Sequence, residues 1–557
     1  MGNQDTKSTK KPRIYRWLVI PLLLACGAMA NEILDEEITQ DEAVAALKVA
    51  GLEMSEAEIE MLLPALEEYR EAYAGMRETP LDNGVSPTLE FDPRPEGFAM
   101  PTEDRFAIRY SSTSSGIASD SSNLAFASVL QLYSWLRSGE VSSVELTRYF
   151  LNRLRTHNQT LHCVISLTEE LALEQAARAD AELAAGNDRG FLHGIPYGAK
   201  DLLATKQYLT TWGATPYQDQ SFDYDATAIE KMEEAGAVLV AKLTLGALAW
   251  GDVWYGEMTR NPWDPTTGSS GSSAGSASAV SAGLVPFALG TETLGSIVSP
   301  STVCGVTGLR PTFGRVSRYG AMTLSWTMDK IGPITRSARD AILVLNELNG
   351  RDDRDPFSIQ APLNYDSRDE QPLRIGYVAA DFDQAYPFKS QDSLTLLKLK
   401  ELGYELIPVE LPELPPIRSI LEVEAAAAFD ELTRSGRDDE LVRQVTNAWP
   451  NVFRTARFVP AVEYVQANRH RRLLMEEMAE VFRQVDLYVH PSWASQSLVI
   501  TNFTGHPCIT IPNGVQENGL PTSITFTGGL FEEGEIVRVA QEYQDASQWD
   551  DSQPEGF

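Results

Sequence analysis

The chain has 557 residues, of which 43% are apolar and 22% are charged, a composition that is typical of a folded protein and excludes disorder over most of its length. The 78 acidic residues outnumber the 46 basic ones, and the net charge of −32 argues against nucleic acid or an anionic membrane as the main partner. Four cysteines without a CxxC pair exclude a disulfide scaffold, and six histidines without metal-binding spacing predict no metal site. No glycine-rich phosphate loop occurs, so no cofactor is predicted.

The N-terminus has the layout of an export signal. Basic residues 7–16 precede an apolar run over 17–25, and Ala28-Met29-Ala30 supplies a cleavage site. Residues 1–30 are therefore predicted to be a signal peptide, with the mature protein periplasmic or secreted and without a stable membrane span. Two alternatives stay open, namely a lipoprotein modified at Cys26 and an uncleaved N-terminal anchor.

Two helices are predicted over residues 31–78. Thr39 and Glu42 have the spacing of a capping box, and Ser55 and Glu58 repeat it. The apolar positions that follow have helical spacing, so the segment is predicted to be a helical hairpin. Residues 79–124 are rich in Pro, Ser, Asp and Gly, which predicts a linker or an arm that wraps the next domain.

Helical and strand patterns alternate from about residue 125. A capping box at Ser142 and Glu145 begins one helix, residues 162–167 and 237–242 are predicted strands, and residues 169–185 and 225–236 are predicted helices. This alternation predicts an α/β domain over 125–545 with a largely parallel sheet. The acidic tail over 546–557 is predicted to be frayed.

Residues 266–300 are dominated by Gly, Ser, Ala and Thr. A flexible linker would not run into the apolar segments that follow, so the small residues are better explained by backbone amides that face a ligand, as in an oxyanion hole or a phosphate nest. Residues 271–275 also fit the G-x-S-x-G elbow of α/β-hydrolases, with His490 or His506 as the base. Residues 261–265 contain two prolines, however, and cannot supply the central strand that an elbow needs.

The longer pattern resembles the amidase signature family over residues 125–545. Three ordered blocks carry the resemblance, at 194–201 (GIPYGAKD), 270–280 (SGSSAGSASAV) and 290–297 (GTETLGSI). Weaker matches occur at 304–312, 329–333 and 505–507. The resemblance implies an α/β amidase signature fold, in which a large, mixed but mostly parallel β-sheet is covered by helices on both faces.

The resemblance also implies a catalytic set. Lys200 matches the base, Ser272 the serine in a cis peptide, and Ser296 the nucleophile of a Ser-cisSer-Lys triad. A serine hydroxyl needs a base to take its proton, and a lysine can do so only when burial or a nearby positive charge keeps it neutral. The backbone N–H groups expected to form the oxyanion hole are those of Thr293, Leu294, Gly295 and Ser296.

Two positions depart from the family pattern. Leu294 stands where many members have Gly, and Val298 stands where many have Arg. The missing cation puts anionic substrates such as glutamine in doubt. Trp250, Ser273 and Val298 are predicted to line the substrate pocket, and the aromatic ring favours an apolar or aryl acyl group.

The expected function is an exported amidase that hydrolyses small carboxamides through an acyl-enzyme, without metal or cofactor, as a monomer or homodimer. The alternative is the A subunit of a tRNA-dependent glutamyl or aspartyl amidotransferase, a glutamine amidohydrolase. Residues 38–69 also look like the small C subunit of such enzymes, fused in cis. This fused hairpin, the signal segment and the acidic charge all oppose the alternative. A catalytically dead binding protein on the same fold is a third hypothesis, which intact Lys200, Ser272 and Ser296 oppose.

Overall fold

A computed structural model describes residues 37–108, 122–369 and 371–557. The chain divides into two compact units, Met1–Leu81 and Asp82–Phe557. The predicted signal peptide, its cleavage site and Cys26 lie outside the described residues. Within those residues, every helix is too short or too polar to span a bilayer.

The first unit contains a pair of helices, as predicted. Helix α1 (Gln40–Ala50) and helix α2 (Glu56–Met76) both begin with a complete capping box, in which the N-cap hydroxyl and the glutamate three residues later bond reciprocally to backbone N–H groups. Gly51 ends α1 in the left-handed conformation, with φ of 69°. The two helices pack against each other and bury Ala43 and Ile59.

The second unit alternates helices and strands. The predicted strand at 162–167 begins later than expected, because His162 ends the preceding helix in a left-handed conformation. Its helices are α3 (Ser122–Ala125), α4 (Val129–Ser138), α5 (Ser143–Leu161), α6 (Glu169–Ala184), α7 (Thr227–Glu234), α8 (Ala274–Ser281), α9 (Val298–Cys304), α10 (Ala338–Leu348), α11 (Ala379–Asp383), α12 (Lys389–Glu401), α13 (Ser419–Ala428), α14 (Asp430–Arg434), α15 (Trp449–Ala456), α16 (Ala461–Gln484), α17 (Ser497–Thr504) and α18 (Glu533–Ser547). Its strands are β1 (Phe106–Ala107), β2 (Val164–Leu167), β3 (Pro196–Lys200), β4 (Val238–Leu243), β5 (Arg260–Asn261), β6 (Asp264–Gly268), β7 (Phe287–Glu292), β8 (Thr307–Arg310), β9 (Lys330–Thr335), β10 (Tyr365–Asp366), β11 (Ile375–Val378), β12 (Leu406–Val409), β13 (Leu487–Pro491), β14 (Cys508–Val515) and β15 (Pro521–Gly528).

An 11-stranded sheet in the described residues has the order β12-β11-β13-β15-β14-β8-β9-β7-β3-β4-β2. It is mixed, as predicted, but it is not mostly parallel. Only the runs β12-β11-β13 and β7-β3-β4 are parallel, and the other neighbouring pairs are antiparallel. The prediction assumed a crossover helix between strands, whereas β8 leads to β9 and β14 to β15 without one, which permits antiparallel pairing.

Both faces of the central strands are covered. In β4, Val238 and Val240 belong to one buried cluster and Leu239 to another; in β7, Ala288 and Leu289 divide in the same way. Because successive side chains of a strand point to opposite faces, the two clusters lie on opposite sides of the sheet. Helix α8 contributes to one cluster, α10 and α18 contribute to the other, and α5 contributes to both.

The predicted arm follows the surface of the second unit over residues 82–108. The Asn83 amide donates to the carbonyl of Thr323 at 2.9 Å, and the Arg471 guanidinium lies 3.5 Å from the centroid of the Phe91 ring. These contacts are distant in sequence, so this part of the segment wraps the domain. Residues 109–121 of the arm lie outside the described residues.

The C-terminal residues are more ordered than predicted. Helix α18 continues to Ser547, and a short 3-10 helix follows over Trp549–Asp551. Pro554 is buried, and the Phe557 ring lies 5.1 Å from the His157 ring. The apolar residues within this acidic tail therefore hold it on the domain.

Candidate active site

The three sequence blocks meet at one edge of the sheet. Lys200 is the last residue of β3, and Ser296 lies in the loop that follows the parallel neighbour β7. Parallel neighbours end at the same edge, which brings the lysine and this loop together. Ser272 lies in the turn before α8, and a backbone hydrogen bond of 3.1 Å from Ser273 N–H to the Ser296 carbonyl joins the turn to the loop.

The Lys200 amine is fully buried among hydroxyl groups. Its Nζ lies 2.8 Å from Ser272 Oγ, 2.8 Å from Thr291 Oγ1 and 3.1 Å from Ser273 Oγ. Burial lowers the pKa of Lys200 from 10.5 to about 7, while the charges of Asp329 and Glu292 act in the opposite direction. The amine therefore exists in both protonation states near neutral pH, as a general base requires.

The peptide bond between Gly271 and Ser272 is cis, as the family resemblance implies. Gly271 packs so tightly that a Cβ atom would overlap the carbonyl oxygen of Gly251. Ser270, the residue before it, has a φ of 59°, in the left-handed region. The turn that presents Ser272 to Lys200 is thus fixed by close backbone contact.

The loop after β7 presents unpaired backbone donors. Among the described residues, the N–H groups of Thr293, Leu294, Gly295 and Ser296 have no hydrogen-bond acceptor. The next two N–H groups, of Ile297 and Val298, both donate to the Glu292 carboxylate, at 2.8 and 3.0 Å. The free donors are therefore confined to the four residues expected to form an oxyanion hole.

Glu292 is a site residue that sequence reasoning missed. Its carboxylate is fully buried, accepts from Arg310 at 2.7 Å and from the Asn502 amide at 2.8 Å, and holds the loop in place. Burial opposes its ionisation, but Arg310 and the Val298 N–H outweigh that effect and lower the pKa of Glu292 to about 2. An acidic residue inside the third block was the available signal; its partners lie too far along the chain to be anticipated.

Ser296 is the most exposed member of the set, although it is also buried. It is 9% exposed, and within the described residues its hydroxyl has no hydrogen-bond partner. Gly295 has a φ of 87°, and a Cβ atom on it would lie only 3.1 Å from Ser299 Oγ and 3.4 Å from Leu498 of α17. Close packing and the left-handed backbone therefore both favour glycine directly before Ser296.

A known protein family matches more than half of the chain. The model of the Amidase family matches residues 145–498. The chain belongs to the amidase family. Its structural neighbours are amidase signature enzymes, so the resemblance and the α/β fold class inferred from the sequence are confirmed.

Relatives of this amidase family member include different enzymes. The A subunit of glutamyl-tRNA(Gln) amidotransferase from Coxiella burnetii (strain Dugway 5J108-111) is 32% identical over 479 residues, covering 76% of this chain and 98% of the relative. The peptide amidase from Stenotrophomonas maltophilia is 29% identical with a TM-score of 0.67, covering 76% and 97%. An amidase family protein from Bacillus anthracis is 25% identical with a TM-score of 0.70, covering 78% and 93%.

The predicted pocket residues of this family member differ in their surroundings. Trp250 is half-buried, and Val298, the first residue of α9, is 2% exposed. Ser273 departs from the prediction, because its hydroxyl is fully buried and bonds to the Thr291 carbonyl and N–H, at 3.0 and 3.1 Å, as well as to Lys200. It braces the turn from inside the protein. Leu498, beside Gly295, was not predicted.

The histidines of the alternative serine-hydrolase hypothesis are engaged elsewhere. His490 bonds to Thr527 Oγ1 at 3.0 Å, and His506 to Thr504 Oγ1 at 2.8 Å. Burial lowers the pKa of His490 to about 4 and that of His506 to about 3.

No cluster of three metal-binding side chains occurs in the part of the chain that the structure describes. The cysteines in that part, Cys163, Cys304 and Cys508, are buried free thiols, as expected.

Proposed function

We propose that the protein hydrolyses carboxamides by acyl transfer through Ser296, with Ser272 and Lys200 as the proton relay. The observation that carries the proposal is the buried Lys200 amine, which lies 2.8 Å from Ser272 Oγ at the edge where Ser296 and the unpaired N–H groups stand. A neutral amine in that position can accept a proton from Ser272 while Ser272 accepts one from Ser296.

In the proposed reaction, Ser296 Oγ attacks the amide carbonyl as its proton passes through Ser272 to Lys200. The N–H groups of residues 293–296 stabilise the oxyanion, and each such donor contributes about 3–4 kcal/mol in other hydrolases. The proton then returns through Ser272 to the leaving nitrogen, the C–N bond breaks, and an acyl-Ser296 ester remains. Water hydrolyses that ester by the same relay and releases the acid.

The proposed substrate is a small amide with an apolar or aryl acyl group. Trp250 offers an aromatic surface, and Val298 places a buried apolar side chain where many family members have Arg. We also propose that the protein acts after export, because residues 1–30 have the layout of a signal peptide.

The A subunit of a tRNA-dependent amidotransferase is the second candidate. The curated relatives favour it, since the A subunit of the Coxiella burnetii enzyme is 32% identical over almost its whole length. The export layout and the net charge of −32 oppose it, because that function needs the cytosol and an RNA substrate. The two candidates share the triad and differ in substrate and partners.

The triad is tested by labelling the full-length chain with a fluorophosphonate probe. Labelling should disappear in Ser296→Ala and fall steeply in Ser272→Ala and Lys200→Ala. Ser278→Ala is the matched control, because this hydroxyl belongs to the same small-residue tract but bonds to the Arg260 carbonyl. Labelling that survives in Ser296→Ala would refute the assigned nucleophile.

The two candidates are separated by substrate. Release of ammonia from benzamide by the chain alone supports the amidase. Release from glutamine that depends on an added B subunit supports the amidotransferase. Cell fractionation of the full-length chain tests export, and recovery in the cytosol with an intact N-terminus would contradict it.

A further inference from the structure

One arginine near the site has no acidic partner. Arg443 is half-buried, and its guanidinium carbon lies 5.1 Å from the centroid of the Trp250 ring. Within the described residues, no carboxylate lies at ion-pair distance from it. Its neighbours along the chain are neutralised, since Arg437 pairs with Glu440 and Arg454 with Asp438. The positive charge of Arg443 is thus left without a carboxylate in the part of the chain that the structure describes.

Arg443 stands one residue away from the turn that carries Ser272. A Cβ atom on Gly251 would lie 3.5 Å from Arg443 Nη1, and the carbonyl oxygen of the same glycine packs directly on Gly271. Gly251 is therefore the spacer between the guanidinium and the cis peptide bond.

The segment that carries Arg443 is held against this surface. The Trp449 indole, at the start of α15, donates to the Leu248 carbonyl at 2.8 Å. Leu248 and Ala249, which precede Trp250, have φ values of 52° and 60°. Backbone held in the left-handed region by non-glycine residues is a feature of positions that the surrounding structure determines. Arg443 and Trp250 are thus anchored through neighbouring residues.

We propose that Arg443 and Trp250 form a recognition site for a substrate carboxylate. The substrate would be an amide with a flat apolar body, which contacts Trp250, and a carboxylate remote from the scissile bond, which binds Arg443. A guanidinium has five N–H donors, so one that lies near an aromatic ring and has no carboxylate partner can still bind a carboxylate through two of them. Arg443 would then supply the positive charge that many family members carry at the position of Val298. The proposal rests on the proposed amide hydrolysis and specifies its substrate class.

The test compares two amides of matched shape, 4-carbamoylbenzoate and 4-methylbenzamide, with the full-length chain. The measured quantity is kcat/KM for 4-carbamoylbenzoate divided by kcat/KM for 4-methylbenzamide. We expect Arg443→Met to lower this ratio by roughly tenfold or more, as for the loss of a charge-assisted hydrogen bond, mainly through KM for the anionic amide. Arg443→Lys should retain part of the preference, and Arg437→Met, from the same segment, should retain all of it. Added salt should lower the ratio in the parent chain but not in Arg443→Met.

The outcomes are distinct. A ratio that is unchanged in Arg443→Met, with both amides still hydrolysed, would overturn the inference and leave the proposed function standing. If Arg443→Met also loses turnover of the neutral amide, the substitution affects folding. The inference is then judged from the ratio in Arg443→Lys, which should lie below that of the parent chain and respond less to salt. Hydrolysis of neither amide by the parent chain would overturn the proposed amidase activity together with this inference.

Discussion

The protonation of Lys200 should set the pH dependence of acylation. Burial holds its pKa at about 7, so the neutral amine forms about 1% of the population at pH 5 and about 90% at pH 8. A lysine with an ordinary pKa of 10.5 would be neutral in only about one molecule in three thousand at pH 7. The rate of Ser296 acylation should therefore rise about tenfold per pH unit below pH 6 and level off above pH 8.

The assay is the second-order rate of fluorophosphonate labelling between pH 5 and pH 10, corrected with Ser296→Ala. Asp329→Asn removes a negative charge that raises the pKa of Lys200, so this variant should shift the acid limb to lower pH. Lys231→Met is the control, because Lys231 bonds to the carbonyls of Leu348 and Asn349 outside the site. A rate that is constant from pH 5 to pH 9, or that rises only above pH 9, would refute Lys200 as the base.

Three further substitutions test the supporting structure. Gly271→Ala should destabilise the fold by about 1–3 kcal/mol in urea unfolding and slow labelling, because its Cβ would overlap the Gly251 carbonyl; wild-type behaviour would show that this packing is not required. Glu292→Gln leaves a buried arginine unpaired, so we expect a loss of about 3–5 kcal/mol and weaker labelling, and a loss below 1 kcal/mol would contradict the assigned pairing. Ser273→Ala should cost about 1–3 kcal/mol but keep slow labelling, since Lys200 retains other hydroxyl partners; complete loss would instead point to Ser273 as the nucleophile.

The sequence predicts the triad residues of the site better than the long-range contacts that hold them in place. Lys200, Ser272 and Ser296 stand in short, ordered blocks, so a local pattern locates them. The role of Glu292 depends on Arg310 and Asn502, which come from β8 and α17 and reach the same carboxylate only through the sheet order. Ser273 was misplaced for a related reason: its residue type permits a pocket hydroxyl, and only packing against β7 turns it inward.

The sheet illustrates the same limit at a larger scale. Alternation of helix and strand predicts the α/β class, because each helix must cover a hydrophobic strand. It does not fix strand direction where a helix is missing, and the β8-to-β9 and β14-to-β15 connections reverse the chain without a crossover. The polar composition of the C-terminal residues likewise predicted fraying, whereas Phe557 supplies an apolar contact that holds them on the domain.

Burial has two effects at this site, and both favour acyl transfer. It lowers the pKa of Lys200, and the same low-dielectric surroundings strengthen the interaction of the free N–H groups with a developing oxyanion. Burial alone would lower the lysine pKa further, but Glu292, kept ionised by Arg310, opposes it together with Asp329. The carboxylate that fixes the oxyanion loop therefore also helps to keep the base near neutral pKa, where proton transfer in both directions is fastest. The buried Glu292–Arg310 ion pair therefore affects both the position of the oxyanion loop and the pKa of Lys200. This explains why charged residues surround a triad in which only Lys200 is ionisable.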